Sequence, residues 1–390
     1  MILDDTRTAD VNRYRSSARE MAPALRDRRI ATIRDRRVPD ATIDELHERN
    51  LLRLLQPVRF GGEGASYDSF MAVTEELAME CPSTGWVYAV LGEHAWVLAG
   101  YPEQAQIDVW GADPRATVSS SFAPRATATV VDGGVRITGK WSFSSGCDHA
   151  TWVMVGAFVP NGDSSPSTVY LLIPKSELTV IDDWQVLGLS GTGSKSLVIE
   201  DRFVPSHRIL SEADAMTGRV PGAEVHPDYA LVHAPRGAFA VLSLAPVMLG
   251  LAQTALDKVV AMVATRVSRG VKVAELESTQ LAIAEASAMI DLARQFIGAT
   301  CQDGLQRLEQ GSFTTLGLLA GRRNAAYATR MLRQAVITLC DHVGGAWVYD
   351  TEPLQDVLRD VLTASSHRLS HWDSAGAAYG KALLEAAVTA

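Results

Sequence analysis

The chain has 390 residues, with 36 basic and 45 acidic side chains and a formal net charge of −9. Hydrophobic residues make up 47% and charged residues 21%, which excludes a disordered chain, a collagen-like chain and a small disulfide scaffold. Nucleic-acid binding as a main task is excluded as well, because it needs a basic footprint, and length alone suggests two or three folding units at roughly 150 residues each.

The N-terminus, Met1-Ile2-Leu3-Asp4-Asp5, is acidic and lacks the apolar run of a signal peptide. Thr8 to Arg29 mixes charged residues with Ala, Met and Leu at helical spacing, with Pro23 placed to kink or divide it. Asp40 to Leu55 repeats the pattern after Pro39. Pro57 and Phe60-Gly61-Gly62-Glu63-Gly64 predict a loop, and Tyr67 to Met79 and Thr84 to Ala99 predict two more helices. Pro102 opens another, reaching Trp110.

From about Val118 the texture changes. Ala126 to Val131 is rich in β-branched residues, Asp132-Gly133-Gly134 is a turn signal, and Val135 to Gly139 reads as the hairpin partner. Trp152 to Val159, Thr168 to Ile173 and Leu197 to Val204 are further strand-like runs. From about Tyr229 the chain is helical again, in long segments from Gly237 to Arg266, Ala274 to Gln310 and Thr314 to Cys340, then Pro353 to Ser366 and Trp372 to Val388. We expect a mainly α chain with a central β domain: an N-terminal helical domain over 1–114, a middle β domain over 115–212 and a C-terminal helical bundle over 213–390. Ala238 to Leu251 is too short and too broken by Gly and Pro to span a bilayer. Cys81, Cys147, Cys301 and Cys340 are scattered without a CxxC pair, as expected of buried thiols in a reducing cytoplasm.

Three patterns bear on chemistry. Gly188-Leu189-Ser190-Gly191-Thr192-Gly193-Ser194-Lys195 looks like a phosphate-binding loop but carries Ser194 where Lys should stand, and a strand follows where a helix is required. Its small residues still suit a backbone passing close to a planar or anionic ligand. Trp141-Ser142-Phe143-Ser144-Ser145-Gly146 offers flat apolar walls beside hydroxyls, which suits a flat heterocycle such as a flavin; an ordinary hairpin edge is the alternative. Among nine histidines, His94 follows Trp86 by about two turns, and His367 and His371 are spaced to share a face if one helix carries both. No Glu follows His367 in the zinc-protease pattern, so we expect no metal, and proton exchange near a buried substrate is the better use.

Taken together, five motifs resemble one family. They are Leu54-Leu55-Gln56-Pro57-Val58-Arg59-Phe60-Gly61-Gly62, Pro82-Ser83-Thr84-Gly85-Trp86-Val87, His94-Ala95-Trp96, Phe143-Ser144-Ser145-Gly146-Cys147-Asp148-His149-Ala150 and Gly191-Thr192-Gly193-Ser194-Lys195. In this order, over nearly the whole chain, they resemble the group D flavin-dependent monooxygenases of the acyl-CoA dehydrogenase fold: the oxygenase components of two-component aromatic hydroxylases such as p-hydroxyphenylacetate hydroxylase and the steroid-degrading phenol hydroxylase. The resemblance implies a middle β-barrel or sandwich and a C-terminal four-helix bundle. It also implies a separate reductase that supplies FMNH2 or FADH2 by diffusion, O2 as co-substrate, and a C4a-hydroperoxyflavin that hydroxylates a phenolic or other electron-rich aromatic ring. A cytoplasmic homotetramer with no nucleic-acid or membrane partner is implied as well. The choice between FMN and FAD stays open.

Residue by residue, the resemblance gives His94 and Ser120 as substrate-hydroxyl contacts. Ser144 and Ser145 lie beside the flavin ring, Trp141 and Phe143 wall it, and Thr192 and Ser194 lie at its edge or tail. His367 or His371 faces the flavin, with His367 preferred. Arg266 and Arg269 meet flavin phosphate, and Trp86, Phe122, Arg236 and Phe239 line the substrate side. Where acyl-CoA dehydrogenases carry a catalytic Glu after their Gly-Gly and Arg-Asp segments, counting on from Gly344-Gly345 and Arg359-Asp360 reaches His367-Arg368. Thioester α-proton abstraction is therefore disfavoured. Amine N-oxygenation, as in nitrososynthases, and a non-catalytic flavin carrier are the other expectations.

Overall fold

The computed structural model describes residues 2–162, 164–349 and 352–389. Six helices open the chain: α1 (Ile2–Arg19), α2 (Ala22–Asp35), α3 (Asp40–Glu48), α4 (Tyr67–Glu80), α5 (Pro82–Ala99) and α6 (Glu103–Trp110). The expected Thr8–Arg29 helix is thus two helices, and Pro23 sits in the first turn of α2, where its missing N–H is not needed. The expected helix from Asp40 stops at Glu48, because Asn50 turns left-handed at φ 57° and the chain continues only as a 3-10 turn over Leu51–Arg53.

Eight strands follow: β1 (Val118–Ser121), β2 (Thr129–Val131), β3 (Gly134–Ser144), β4 (Trp152–Asn161), β5 (Ser164–Pro174), β6 (Thr179–Ile181), β7 (Lys195–Pro205) and β8 (Ile209–Ser211). They form two four-stranded sheets, ordered β1-β4-β5-β8 and β2-β3-β7-β6. Gly133, at φ 76°, makes the tight turn between β2 and β3 that the Asp-Gly-Gly sequence predicts. Strand side chains alternate faces, and the two faces of β4 and β5 enter different cores. Val153, Val155, Ala157, Val169, Leu171 and Ile173 join Ile137, Trp141, Leu197 and Ile199 in the core between the sheets. Met154, Tyr170 and Leu172 join Leu98, Tyr101, Val109 and Trp110 of the helical layer. A sheet covered on both faces reads as a continuous apolar run, which is what Trp152-Val153-Met154-Val155-Gly156-Ala157-Phe158 shows.

Three short helices, α7 (Glu212–Thr217), α8 (Gly222–Val225) and α9 (Arg236–Phe239), lead to α10 (Ala245–Thr265). The expected helix from Gly237 to Arg266 is therefore interrupted, and Pro246 marks the restart. The 236–265 stretch is long and apolar enough to cross a membrane, but 83% of its most apolar window is buried inside the protein. A small hairpin of β9 (Val267–Ser268) and β10 (Val271–Lys272) precedes α11 (Glu277–Gln310), α12 (Thr315–His342), α13 (Pro353–Ser365) and α14 (Trp372–Thr389).

The chain divides into two compact units. Met1–Val73, Trp86–Gln185 and Ser190–Ala240 form one; Thr74–Gly85, Val186–Leu189 and Val241–Ala390 form the other. In the second, α12 packs against α10, α11, α13 and α14. All four cysteines are buried, and none forms a disulfide.

Val186–Leu189 belongs to the second unit for a local reason. A Cβ on Gly188 would stand 2.2 Å from the carbonyl oxygen of Arg359, so only glycine fits. The next N–H, of Leu189, donates to Asp360 Oδ1 at 2.6 Å in a buried setting. Losing a buried hydrogen bond to a carboxylate costs about 1–3 kcal/mol. Asp360→Ala is accordingly expected to lower the unfolding free energy from urea titration by that amount, and an unchanged free energy would show that the bond carries no stability.

Candidate active site

The site begins with β1. It pairs in parallel with β4, with Ser119 opposite Val153 and Ser120 opposite Met154. Neighbouring residues point to opposite faces, so the two serines part. Ser119 meets Ser144, whose Oγ donates to it at 3.1 Å. Ser120 meets His94 of α5, with Oγ 3.0 Å from Nε2. His94 Nδ1 lies 2.6 Å from the carbonyl oxygen of Val118. A carbonyl only accepts, so Nδ1 carries the proton and Nε2 keeps a lone pair that accepts from Ser120. His94 is 2% exposed. Burial, opposed by the Val118 bond and reinforced by Arg236, pushes its pKa down to about 3, so the ring is neutral.

Phe122 stands edge-on to His94, with centroids 5.3 Å apart at 88°. The Arg236 guanidinium lies 4.0 Å over the Phe122 ring. His94, Ser120, Phe122 and Arg236 therefore form one group, as expected. Two residues expected with them do not join it. Phe239 is fully buried against Tyr67, at 4.9 Å, and Trp96, at 6.1 Å, so its ring surface is used in packing. Trp86 turns its indole N–H to Ser145 Oγ at 3.1 Å.

Ser145 begins a buried hydroxyl chain: its Oγ is 2.7 Å from Ser194 Oγ, which is 2.8 Å from Thr192 Oγ1. The four hydroxyls expected near flavin, on Ser144, Ser145, Thr192 and Ser194, are each buried and bonded to protein groups. The glycine between the last two has a packing reason: Gly193, at φ 52°, leaves no room for a Cβ, which would stand 2.7 Å from Asp148 Oδ2.

Trp141 and Phe143 separate sharply. Trp141 is fully buried between the sheets and its Nε1 donates to the Gly156 carbonyl at 2.8 Å, so it presents no face to a ligand and cannot wall one. Its expected cofactor role is corrected to a core role. Phe143 is 66% exposed at φ 67°. The β3–β7 register shifts between Trp141 and Ser144; a bulge of this kind re-aims one side chain, and a bulky residue at positive φ is strained. A flat aromatic face held in solvent by a strained bulge fits a planar ring such as a flavin. Trp184, which the sequence reading missed, stands edge-on to Phe143 at 5.9 Å. Arg36 reaches back to Asp182 and to the Trp184 carbonyl at 3.0 Å and seats that segment. A Trp just before the Gly-rich loop is the signal that would have found it.

In the second unit, His367 and His371 do not share one helix: α13 ends at Ser365, a 3-10 turn covers Arg368–Ser370, and α14 starts at Trp372. Their side chains differ in kind. His367 accepts from the Leu369 N–H at 3.3 Å, and burial pushes its pKa down to about 4. His371 is exposed and lines a cleft of about 630 Å³ with Arg330, Arg333, Ser365, Ser366 and Trp372. Arg266 caps the Val343 carbonyl, while Arg269 is exposed at the tip of the β9–β10 hairpin, at φ 50°. Among the described residues, no group of three or more His, Cys, Asp or Glu is placed to hold a metal ion.

His94, buried, and His367, half-buried, set the sign of a pH effect. An unfolded imidazole titrates near 6.5, well above His94 at about 3 and His367 at about 4. Between those values the unfolded chain binds the extra protons. The contribution of each is therefore complete above about pH 6.5 and is lost as pH falls toward the folded value. We expect thermal stability to fall from about pH 7 to about pH 5, with no titration of the His94 ring in that range by NMR. A His94 midpoint near 6.5 would overturn its assignment as neutral.

Comparison with known proteins places this geometry. Residues 8–110 match the family described as Acyl-CoA dehydrogenase, N-terminal domain, and residues 242–372 match Acyl-CoA dehydrogenase, C-terminal domain. The chain is 36% identical over 383 residues to the FADH(2)-dependent resorcinol hydroxylase, oxygenase component, of Rhizobium sp. strain MTP-10005, covering 95% of this chain and 91% of the relative. It is similar to the crystal structure of the HsaA monooxygenase from M. tuberculosis, with a TM-score of 0.91, 32% identity, and coverage of 96% and 97% of the two chains. It is similar also to XiaF from Streptomyces sp. in complex with FADH2 and glycerol, with a TM-score of 0.90, 25% identity, and coverage of 99% and 98%. The chain thus belongs to the flavin-dependent monooxygenases of the acyl-CoA dehydrogenase fold, as an oxygenase component of the two-component kind.

Proposed function

We propose that this oxygenase hydroxylates a phenolic ring whose hydroxyl docks on His94 and Ser120. The observation that carries the reading is the fixed tautomer of His94, with Nδ1–H spent on Val118 and the Nε2 lone pair facing Ser120 Oγ at 3.0 Å. A phenol hydroxyl can take the place of the Ser120 hydroxyl as donor to Nε2, leaving Ser120 free to bond the phenol oxygen. An imidazole held down to about 3 is too weak a base to remove a phenolic proton outright. Its role is to accept that hydrogen bond and shift electron density toward the ring. Arg236, 4.0 Å over Phe122, adds positive charge that favours phenolate character.

When bound, the reduced flavin supplied by a separate reductase provides the activated oxygen. On this reading Phe143 offers the flavin ring a flat face, and Ser145 acts with Ser194 and Thr192 behind it. His367, half-buried and neutral, would hold or release a proton at the flavin. Arg269 would meet an anionic tail, within a cytoplasmic homotetramer. Thioester dehydrogenation needs a carboxylate base, and His367-Arg368 stand where one would be required.

The reading is tested by coupling. Loss of one hydrogen bond to the reacting hydroxyl is worth about tenfold. His94→Ala is expected to cut product formed per O2 consumed by at least about that factor, with H2O2 in its place, and Ser120→Ala by a smaller factor of about three. Wild-type coupling in His94→Ala would sink the reading.

A further inference from the structure

We propose that Tyr170 and Glu212 are positioning residues that fix the back wall of the substrate pocket by holding Arg236 on Phe122. The proposal rests on the reading that His94, Ser120 and Phe122 receive the phenol. Tyr170 comes from β5 on the helix-facing side of its sheet and is 1% exposed. Its backbone is tied down by Tyr101, whose hydroxyl donates to the Tyr170 carbonyl at 3.0 Å. Its own hydroxyl donates to Glu212 Oε1 at 2.9 Å, at the start of α7. Arg236 Nη1, at the start of α9, donates to the same phenol oxygen at 3.3 Å. The carboxylate only accepts and the guanidinium only donates, so the chain runs one way, from Arg236 through Tyr170 to Glu212.

The guanidinium has little else to hold it. It lies 4.0 Å over Phe122 and 5.5 Å from the Tyr170 ring, and its buried Nε has no hydrogen-bond partner. A partly buried arginine is ordinarily paired directly with a carboxylate; here, with its Nε buried, the carboxylate is reached through a phenol. The rings complete the wall, with Phe122 and Tyr170 centroids 4.7 Å apart and Phe122 against His94. Without the Tyr170 hydroxyl, only ring faces hold Arg236, and Phe122 loses the charge that seats it beside His94.

The test uses the full chain with its reductase and the best-coupled of three probes: phenol, resorcinol and 4-hydroxyphenylacetate. Tyr170→Phe keeps the ring and deletes the hydroxyl. It should raise the KM for the phenol about tenfold and lower product per O2, with the apparent affinity for reduced flavin unchanged. Glu212→Gln, which can still accept the bond, should stay within about twofold of wild type, whereas Glu212→Ala should behave like Tyr170→Phe. Wild-type KM and coupling in Tyr170→Phe, with His94→Ala still uncoupled, would overturn the proposal and leave the phenol reading standing. If His94→Ala is also fully coupled, or no probe is hydroxylated, the phenol reading falls and the proposal with it. Should Tyr170→Phe fail to fold, the contrast between Glu212→Ala and Glu212→Gln decides on the same readouts.

Discussion

The parallel pairing of β1 with β4 is the constraint on which the rest of the site depends. Parallel strands cannot be joined by a tight turn, so the chain must leave the sheet, build the β2–β3 hairpin and return. That detour brings Ser144 and Ser145 back beside β1. The register then sorts three consecutive serines by face: Ser119 toward Ser144, Ser120 toward His94, and Ser121 toward the Ser142 carbonyl at 2.8 Å. A slip of one residue would exchange these faces. Met154 and Val153, the partners of Ser120 and Ser119, lie in different apolar cores, so a slip that flipped β4 would put each into the wrong core. Core packing thereby fixes the functional register.

Dryness is the second theme. His94, at 2% exposure, is neutral because burial disfavours its charged form, and the Val118 carbonyl chooses which nitrogen keeps the proton. The hydroxyls of Ser145, Thr192 and Ser194 likewise bond to one another with water excluded. Such a site offers positioned dipoles in place of mobile water, a setting in which electrostatic interactions with a bound ligand are strong. The cost is placed in the backbone: Phe143 is held at φ 67° with its ring in solvent, an arrangement that packing alone would not maintain.

Much of the fold is legible in the sequence. Helical spacing marks α4, α11 and α12, and the β-branched run ending in Asp132-Gly133 marks the β2–β3 hairpin. Breaks inside helical stretches are less so. The turn after Glu48 depends on Asn50 adopting a left-handed backbone, which its side chain permits but does not require. The strand expected over Ser119–Phe122 has little local signal, because Ser119-Ser120-Ser121 has neither β-branched residues nor alternation, and only Val118 ahead of them is β-branched. It is a strand only because β4 offers it an edge.

The site divides along the same line. The motifs of the sequence, through the family they resemble, grouped His94, Ser120, Phe122 and Arg236 on the substrate side, and residue type alone showed hydroxyls near Phe143 and no carboxylate at His367-Arg368. Tertiary structure alone decided that Trp141 lies inside the sandwich while Phe143 lies outside it, since a register shift of the bulged strand separates two aromatics that read alike. It alone brought Tyr170 and Glu212 to Arg236, from β5, α7 and α9. The physical reason is range. Propensity and periodicity act over a few residues, whereas a hydrogen bond between residues 42 or 66 apart exists only after the core has chosen which face each side chain takes.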